Sequence, residues 1–295
     1  VGRTAPGASI VETAEYDAAA ALISVQAWER AIPVLERFRA AFPASRWQGE
    51  VTRKLAVALL ESGALERAAE EFDRLGRQQG DPETARAALW QSAELYQRAQ
   101  RTDRAVQAWQ RYLGLYPRPL DEAMQARLHI ADAWRAQRND ERYRHWLNEI
   151  VAADAAAGAQ RSDFSRETAA GAALALAEPL RQRYSGVRLT APLDRSLKAK
   201  RGAMDQALKA YRRAADYGVA SITTAATYHI GEIYHELSRA LLDSQRPDGL
   251  AADELEQYDI LLEEQAYPFE EEAIALHELN HRRIGDGLYD DWVQR

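Results

Sequence analysis

The 295-residue chain contains no cysteine, which excludes a disulfide framework, a thiolate metal site and a catalytic thiol. Glycine and proline are scarce, at 16 and 10 residues. No Gly-rich phosphate loop and no G-x-S-x-G elbow occurs, and no Val/Ile run has strand spacing. Their absence argues against doubly wound sheet enzymes and their nucleotide sites. No apolar run approaches the roughly 18 residues of a membrane-spanning helix. The net charge of −7 argues against a general nucleic-acid binder, whose affinity comes from neutralising phosphates. No signal-peptide pattern opens the chain. It starts at Val1 with a Gly/Pro/Ala stretch, Gly2 to Ser9, and is expected to be cut from a longer precursor. Lysine supplies only four of the 38 basic residues (Lys54, Lys198, Lys200 and Lys209), a bias that points to a GC-rich bacterial genome.

Alanine, at 57 residues, is the commonest side chain. As the best helix former in a chain poor in breakers, it predicts an all-α protein. The helical stretches repeat. Trp28-Glu-Arg-Ala31 with Leu35 and Phe38 matches Leu65-Glu-Arg-Ala68 with Phe72 and Leu75, and again Thr102-Asp-Arg-Ala105 with Trp109 and Tyr112. Pro43, the vicinity of Gly80, and Pro117 close the three units. Upstream lie Ala19, Ala56 and Ala93, each followed three residues later by Leu22, Leu59 or Tyr96. Small residues let antiparallel helices approach, and the bulky residues one turn on fill the hollow beside them. A fourth unit has Ala131 and Trp134 in its first helix. In its second, Tyr143 stands at the small position, with Leu147 and Ile150 behind. A further helix runs from Ser165 to Tyr184, and Thr227, Ile230, Gly231 and Tyr234 restore the first-helix signature.

This pattern, with its period of 37 to 38 residues, resembles the tetratricopeptide repeat. The resemblance implies a right-handed α-solenoid of antiparallel helix pairs, five to six repeats and a C-terminal capping helix. The expected segments are an extended or disordered lead-in over 1–11, four helix pairs over 12–160, longer atypical pairs with a basic insert over 161–250, and acidic capping helices over 251–295. Asp81 and Asp121 are expected to cap helices. The stretches 184–192 and 244–249 read as a loop and a turn, and Pro268 as a helix boundary.

In tetratricopeptide proteins the first helix of each pair lines a concave surface that binds partner segments. Carried over by position, this implies Glu50, Arg53 and Glu61 in the second unit and Trp90, Glu94, Gln97 and Arg98 in the third. In the fourth it implies Asp132 and Arg135. The Lys and Asn of the family's carboxylate clamp do not occur at their positions here. A non-enzymatic interaction scaffold with no cofactor is therefore the primary expectation. The C-terminal stretch Tyr258 to Ile274, with Gly287 to Val293, resembles the ends of large envelope repeat proteins of Gram-negative bacteria. That resemblance implies the periplasm or the periplasmic face of the outer membrane, and protein partners of TonB-type or motility machinery.

Two alternatives compete. His277-Glu278-Leu-Asn-His281 matches the H-E-x-x-H spacing of zinc hydrolases. No third ligand follows at the expected distance, Arg282 and Arg283 adjoin it, and a helix-surface coincidence is favoured over a metal site. The second alternative is charge. Between Arg181 and Arg213 ten basic residues face two acidic ones, while 251–295 holds thirteen acidic and three basic. Arg195, Lys198, Lys200 and Arg201 would form a basic patch for an anionic polymer or lipid, or for the acidic C-terminus.

Overall fold

A computed structural model describes residues 6–78, 81–190 and 192–295, with side chains from Ile10 onward. Among the described residues the secondary structure is helical, and no strand is present. The chain divides into two compact units, one up to Asn139 and one from Asp140 to Arg295.

The first unit contains α1 (Pro6–Ser24), α2 (Trp28–Ala41), α3 (Gln48–Glu61), α4 (Leu65–Gly76), α5 (Pro82–Arg98), α6 (Thr102–Leu115) and α7 (Leu120–Ala136). Each helix packs on the next along the chain. The small residues lie where the spacing put them: Ala19, Ala31, Ala56, Ala68 and Ala93 are fully buried and Ala105 is nearly so. Leu35, Phe38, Leu59, Leu75, Trp109 and Tyr112 fill the space beside them.

The turns that end α1, α3, α5 and α7 repeat as closely as the helices. Gln26, Gly63, Gln100 and Arg138 all adopt positive φ, between 56° and 79°. After each, the next backbone N–H reaches back to the carbonyl of Leu22, Leu59, Tyr96 or Trp134 at 2.9–3.0 Å. This is the Schellman closure of a helix C-terminus. Only Gly63 is a glycine, so the other three turns hold a left-handed residue against its intrinsic preference. On the second helices, carboxylates of one repeat meet arginines of the next. Arg67 pairs with Glu36, Arg101 with Glu66 at 2.8 Å, and Arg104 with Glu70 at 2.8 Å.

The second unit contains α8 (Asp140–Ala155), a short 3₁₀ turn, α9 (Asp163–Ser185), α10 (Leu193–Ala215), α11 (Ala220–Leu242), α12 (Ala252–Arg282) and α13 (Asp291–Gln294). Each of α8 to α12 packs on its sequence neighbour. Tyr184, Met204, Leu208, Tyr211, Ile233 and Leu237 form the core. Asp290 caps α13 and accepts from Thr224 Oγ1 at 2.5 Å, which ties the chain end to α11.

Several expectations need correction. Pro268 does not end a helix, because α12 runs through it. Pro268 and Glu264 are both exposed, so water can satisfy the carbonyl that loses its helical donor. Buried Leu262, Ala266 and Ala273 hold the helix to its neighbour on both sides of the proline. The lead-in is helical from Pro6, a residue suited to a first helical turn, while residues 1–5 lie outside those described. Gly80, expected to close the second repeat, also lies outside them. Asp81 caps α5, accepting from the Thr84 N–H at 2.9 Å. Asp121 instead lies inside the first turn of α7. There its charge still favours the helix N-terminus.

Candidate functional site

In the first unit α1, α3 and α5 are the first helices of the pairs, and α7 follows at the next repeat position. Tyr16 of α1 donates to Glu50 of α3, which raises the phenol to about 12 and lowers the carboxyl from its usual range. Lys54 lies 3.3 Å from the same carboxylate. One repeat further on, Arg86 of α5 reaches Glu122 of α7 at 3.2 Å and Glu83 at 2.7 Å.

Trp90 sits half-buried at the centre of this region. Its ring meets Trp109 edge-on at 4.7 Å and Tyr112 at 5.1 Å, and its Nε1 donates to Glu94 Oε1 at 2.8 Å. His129 stacks flat on the far ring, 4.7 Å from Trp109. Burial pushes His129 below its ordinary pKa, against the pull of Glu94 and Asp132. Tyr112 donates to Glu122 at 2.5 Å; burial and that hydrogen bond both raise its pKa. Glu83, Arg86, Trp90, Gln91, Tyr112 and Glu122 surround a hollow of about 410 Å³.

The structure therefore brings together Trp90 and Glu94, with His129 and Asp132 close by. Asp132 and Arg135 pair with each other at 3.0 Å. Arg53, Glu61, Gln97 and Arg98 are exposed on α3 and α5 and do not line this hollow. Glu83, Arg86, Tyr112 and Glu122 complete it and were not anticipated. The signal for two of them was present, since Arg86 and Glu122 are opposite charges one repeat apart.

The basic patch is smaller than expected. Lys200 is buried, and its Nζ donates to the carbonyls of Tyr184 at 3.3 Å and Val187 at 3.1 Å and to Glu236 Oε1 at 3.0 Å. It closes the end of α9 rather than facing a ligand. Arg195, Lys198 and Arg201 remain exposed, with the Arg201 guanidinium 5.7 Å from the Phe269 ring centroid.

Of the H-E-x-x-H residues, His277 is drawn into helix packing. His277 Nε2 lies 3.4 Å from Glu232 Oε1 and its ring meets Tyr228 edge-on. It rests over Gly231, where an added Cβ would come within 2.8 Å of Nε2. Glu278 and His281 point to solvent. Among the described residues no group of three or more His, Asp and Glu side chains is placed to hold a metal ion. Among the described residues no helix is long and apolar enough to cross a membrane.

The tetratricopeptide repeat model matches residues 87–118, which span most of α5, the Gln100 turn and α6. The match covers one helix pair of a chain whose described residues are helical throughout, with each helix of a unit packed on its sequence neighbour. No curated protein matches its sequence. Similar solved structures include BtubC (BKLC) from P. vanneervenii, at 15% identity and a TM-score of 0.36, covering 90% of this chain and 92% of that one. Another is a circular tandem repeat protein with novel repeat topology and enhanced subunit contact surfaces, at 15% identity and a TM-score of 0.27. It covers 95% of this chain and 66% of that chain.

Proposed function

We propose that this protein is a non-enzymatic scaffold of a bacterial cell-envelope complex that holds a protein partner against the first helices of its repeats. The observation that carries the reading is the hollow at Trp90. The indole is fixed by Trp109 and Tyr112 before any partner arrives, so little side-chain entropy is lost on binding. Arg86, Glu83 and Glu122 give the rim both signs of charge, which suits a polar segment with one apolar anchor. Aromatic and arginine side chains dominate interface energies. Trp90 and Arg86 are thus the anchors, with Glu94, Asp132 and Arg135 alongside and Arg53, Glu61, Gln97 and Arg98 on the flanking turns. The resemblance of the C-terminal segment to envelope repeat proteins supports a periplasmic setting and TonB-type or motility partners.

The test is titration against a partner recovered by pull-down from envelope fractions. Trp90 also braces Trp109, so Arg86→Ala, which spares the aromatic cluster, is the cleaner variant. Trp90→Ala should weaken binding by about 2 kcal/mol, close to 30-fold, and Arg86→Ala by a measurable part of that. Unchanged affinity in both variants, with helicity intact by circular dichroism, would remove the site from this face. Recovery of the protein only from cytosolic fractions would overturn the envelope setting.

A further inference from the structure

On the opposite side of the first helices, the two units treat the same groove differently. In the first unit the groove between α4 and α6, over α5, holds a hollow of about 470 Å³ lined by charges of both signs that pair with one another. Arg104 pairs with Glu70 at 2.8 Å, Arg77 with Asp73 at 2.5 Å, and Arg111 with Asp73. In the second unit the corresponding groove lies between α8 and α10, over α9, and encloses about 470 Å³. Its floor is apolar, formed by Val151, Ala173, Leu176, Pro179, Leu180 and Ala210. Arg144, Lys209 and Arg213 stand around it, with the amides of Asn148 and Gln206. No acidic side chain lines it. Among the described residues the three cations make no ion pair, although Lys209 and Arg213 also border a second hollow along α10 that Asp205 and Asp216 line.

An occupant matched to this groove brings carboxylates for three cations and apolar side chains for the floor. A protein segment supplies several of each along its length, whereas a fatty acid carries a single carboxylate and a phosphate no apolar group.

We propose that this groove is a second docking site, which takes an acidic segment with apolar anchors from a protein partner. Its apolar side chains sit on Leu176, Pro179 and Leu180, and its carboxylates meet Arg144, Lys209 and Arg213. The site is separate from the Trp90 hollow, so either can fail without the other. A scaffold with two such sites could hold two partner segments at once.

The probe is a labelled synthetic peptide in which Leu pairs alternate with Glu pairs, titrated against the full chain by fluorescence anisotropy. Binding is expected, weakening as salt is raised. A peptide with Lys in place of Glu should not bind. Lys209→Glu with Arg213→Glu should reduce affinity about tenfold or more, and the neutral pair Lys209→Gln with Arg213→Gln should reduce it in the same direction with less effect on folding. Leu180→Asp should also weaken it, while Arg201→Glu and Arg86→Ala leave it unchanged. Equal affinity in wild type and the Gln pair would overturn the site. Competition by palmitate, or binding of phosphatidylglycerol vesicles without the peptide, would assign the groove to lipid instead. A dimer in sedimentation that Lys209→Glu abolishes would assign it to a second copy and equally overturn the proposal.

Discussion

Gly76 offers a sharp test of how tightly the repeats are packed. It ends α4, is buried, and has helical backbone angles, so nothing in its conformation requires glycine. By helix propensity alone, Gly76→Ala should stabilise by about 1 kcal/mol. The contacts say otherwise. A Cβ at this position would lie 2.3 Å from Leu89 Cγ, 2.6 Å from Leu89 Cδ2 and 3.1 Å from the Ala85 carbonyl oxygen. Leu89 is fully buried and cannot swing into solvent, and the carbonyl belongs to the α5 backbone. Overpacking of this kind costs about 1–3 kcal/mol, here toward the upper end because two contacts fall well inside van der Waals distance. After the propensity gain, a net loss of about 2 kcal/mol is expected. Urea unfolding followed by tryptophan fluorescence reports mainly on the first unit, where five of the seven tryptophans lie. Gly202 in α10 of the second unit is the control, read by circular dichroism: it is exposed with nothing within 4 Å of an added Cβ, so Gly202→Ala should stabilise by about 0.5–1 kcal/mol. Adding Leu89→Val to Gly76→Ala should recover part of the loss, with a coupling of about 0.5 kcal/mol or more. A Gly76→Ala variant as stable as wild type, or no coupling to Leu89, would refute the α4–α5 contact described above.

Three further outcomes follow from the same structure. Ala68→Leu and Ala105→Leu should each cost roughly 1–3 kcal/mol, and an unchanged melting temperature in both would contradict the repeat register. Lys200→Met leaves the carbonyls of Tyr184 and Val187 without their donor and should destabilise the second unit by about 1–3 kcal/mol, read by hydrogen exchange along α9 and α10. His129 has its folded pKa lowered by burial. Below the unfolded value of about 6.5 the unfolded chain takes up a proton that the folded chain refuses, so stability falls on acidification until the folded pKa is passed. His229, also lowered chiefly by burial, adds the same trend in the second unit. The urea midpoint should therefore drop between about pH 7 and 5.5, with a shallower drop by tryptophan fluorescence in His129→Phe. An identical slope in that variant would show that His129 does not control it.

The repeat itself was legible in the amino-acid sequence, because burial is decided by spacing. Ala19, Ala56 and Ala93, and Ala31, Ala68 and Ala105, lie on the core side of their helices. Helix-period placement of small and large residues leaves one face to bury, and stacking on a neighbour is the way to bury it. Orientation within that frame was not legible. Lys200 and Lys198 are two residues apart in one basic run, yet one is buried among carbonyls and the other is exposed, because the end of α9 arrives beside only one of them. Trp90 has the spacing of a binding residue, but its partners Trp109, Tyr112 and His129 come from three turns of α6 and α7 that only packing brings to it. His277 and His281 have the spacing of metal ligands, and the approach of α12 to Gly231 of α11 draws only the first into a contact. Gln26, Gln100 and Arg138 take the left-handed turn that Gly63 takes more easily, because two backbone hydrogen bonds at each helix end offset the local strain. Periodicity along the chain fixes which face of a helix is buried; what that face meets depends on residues a repeat or more away, and that is settled only when the helices pack.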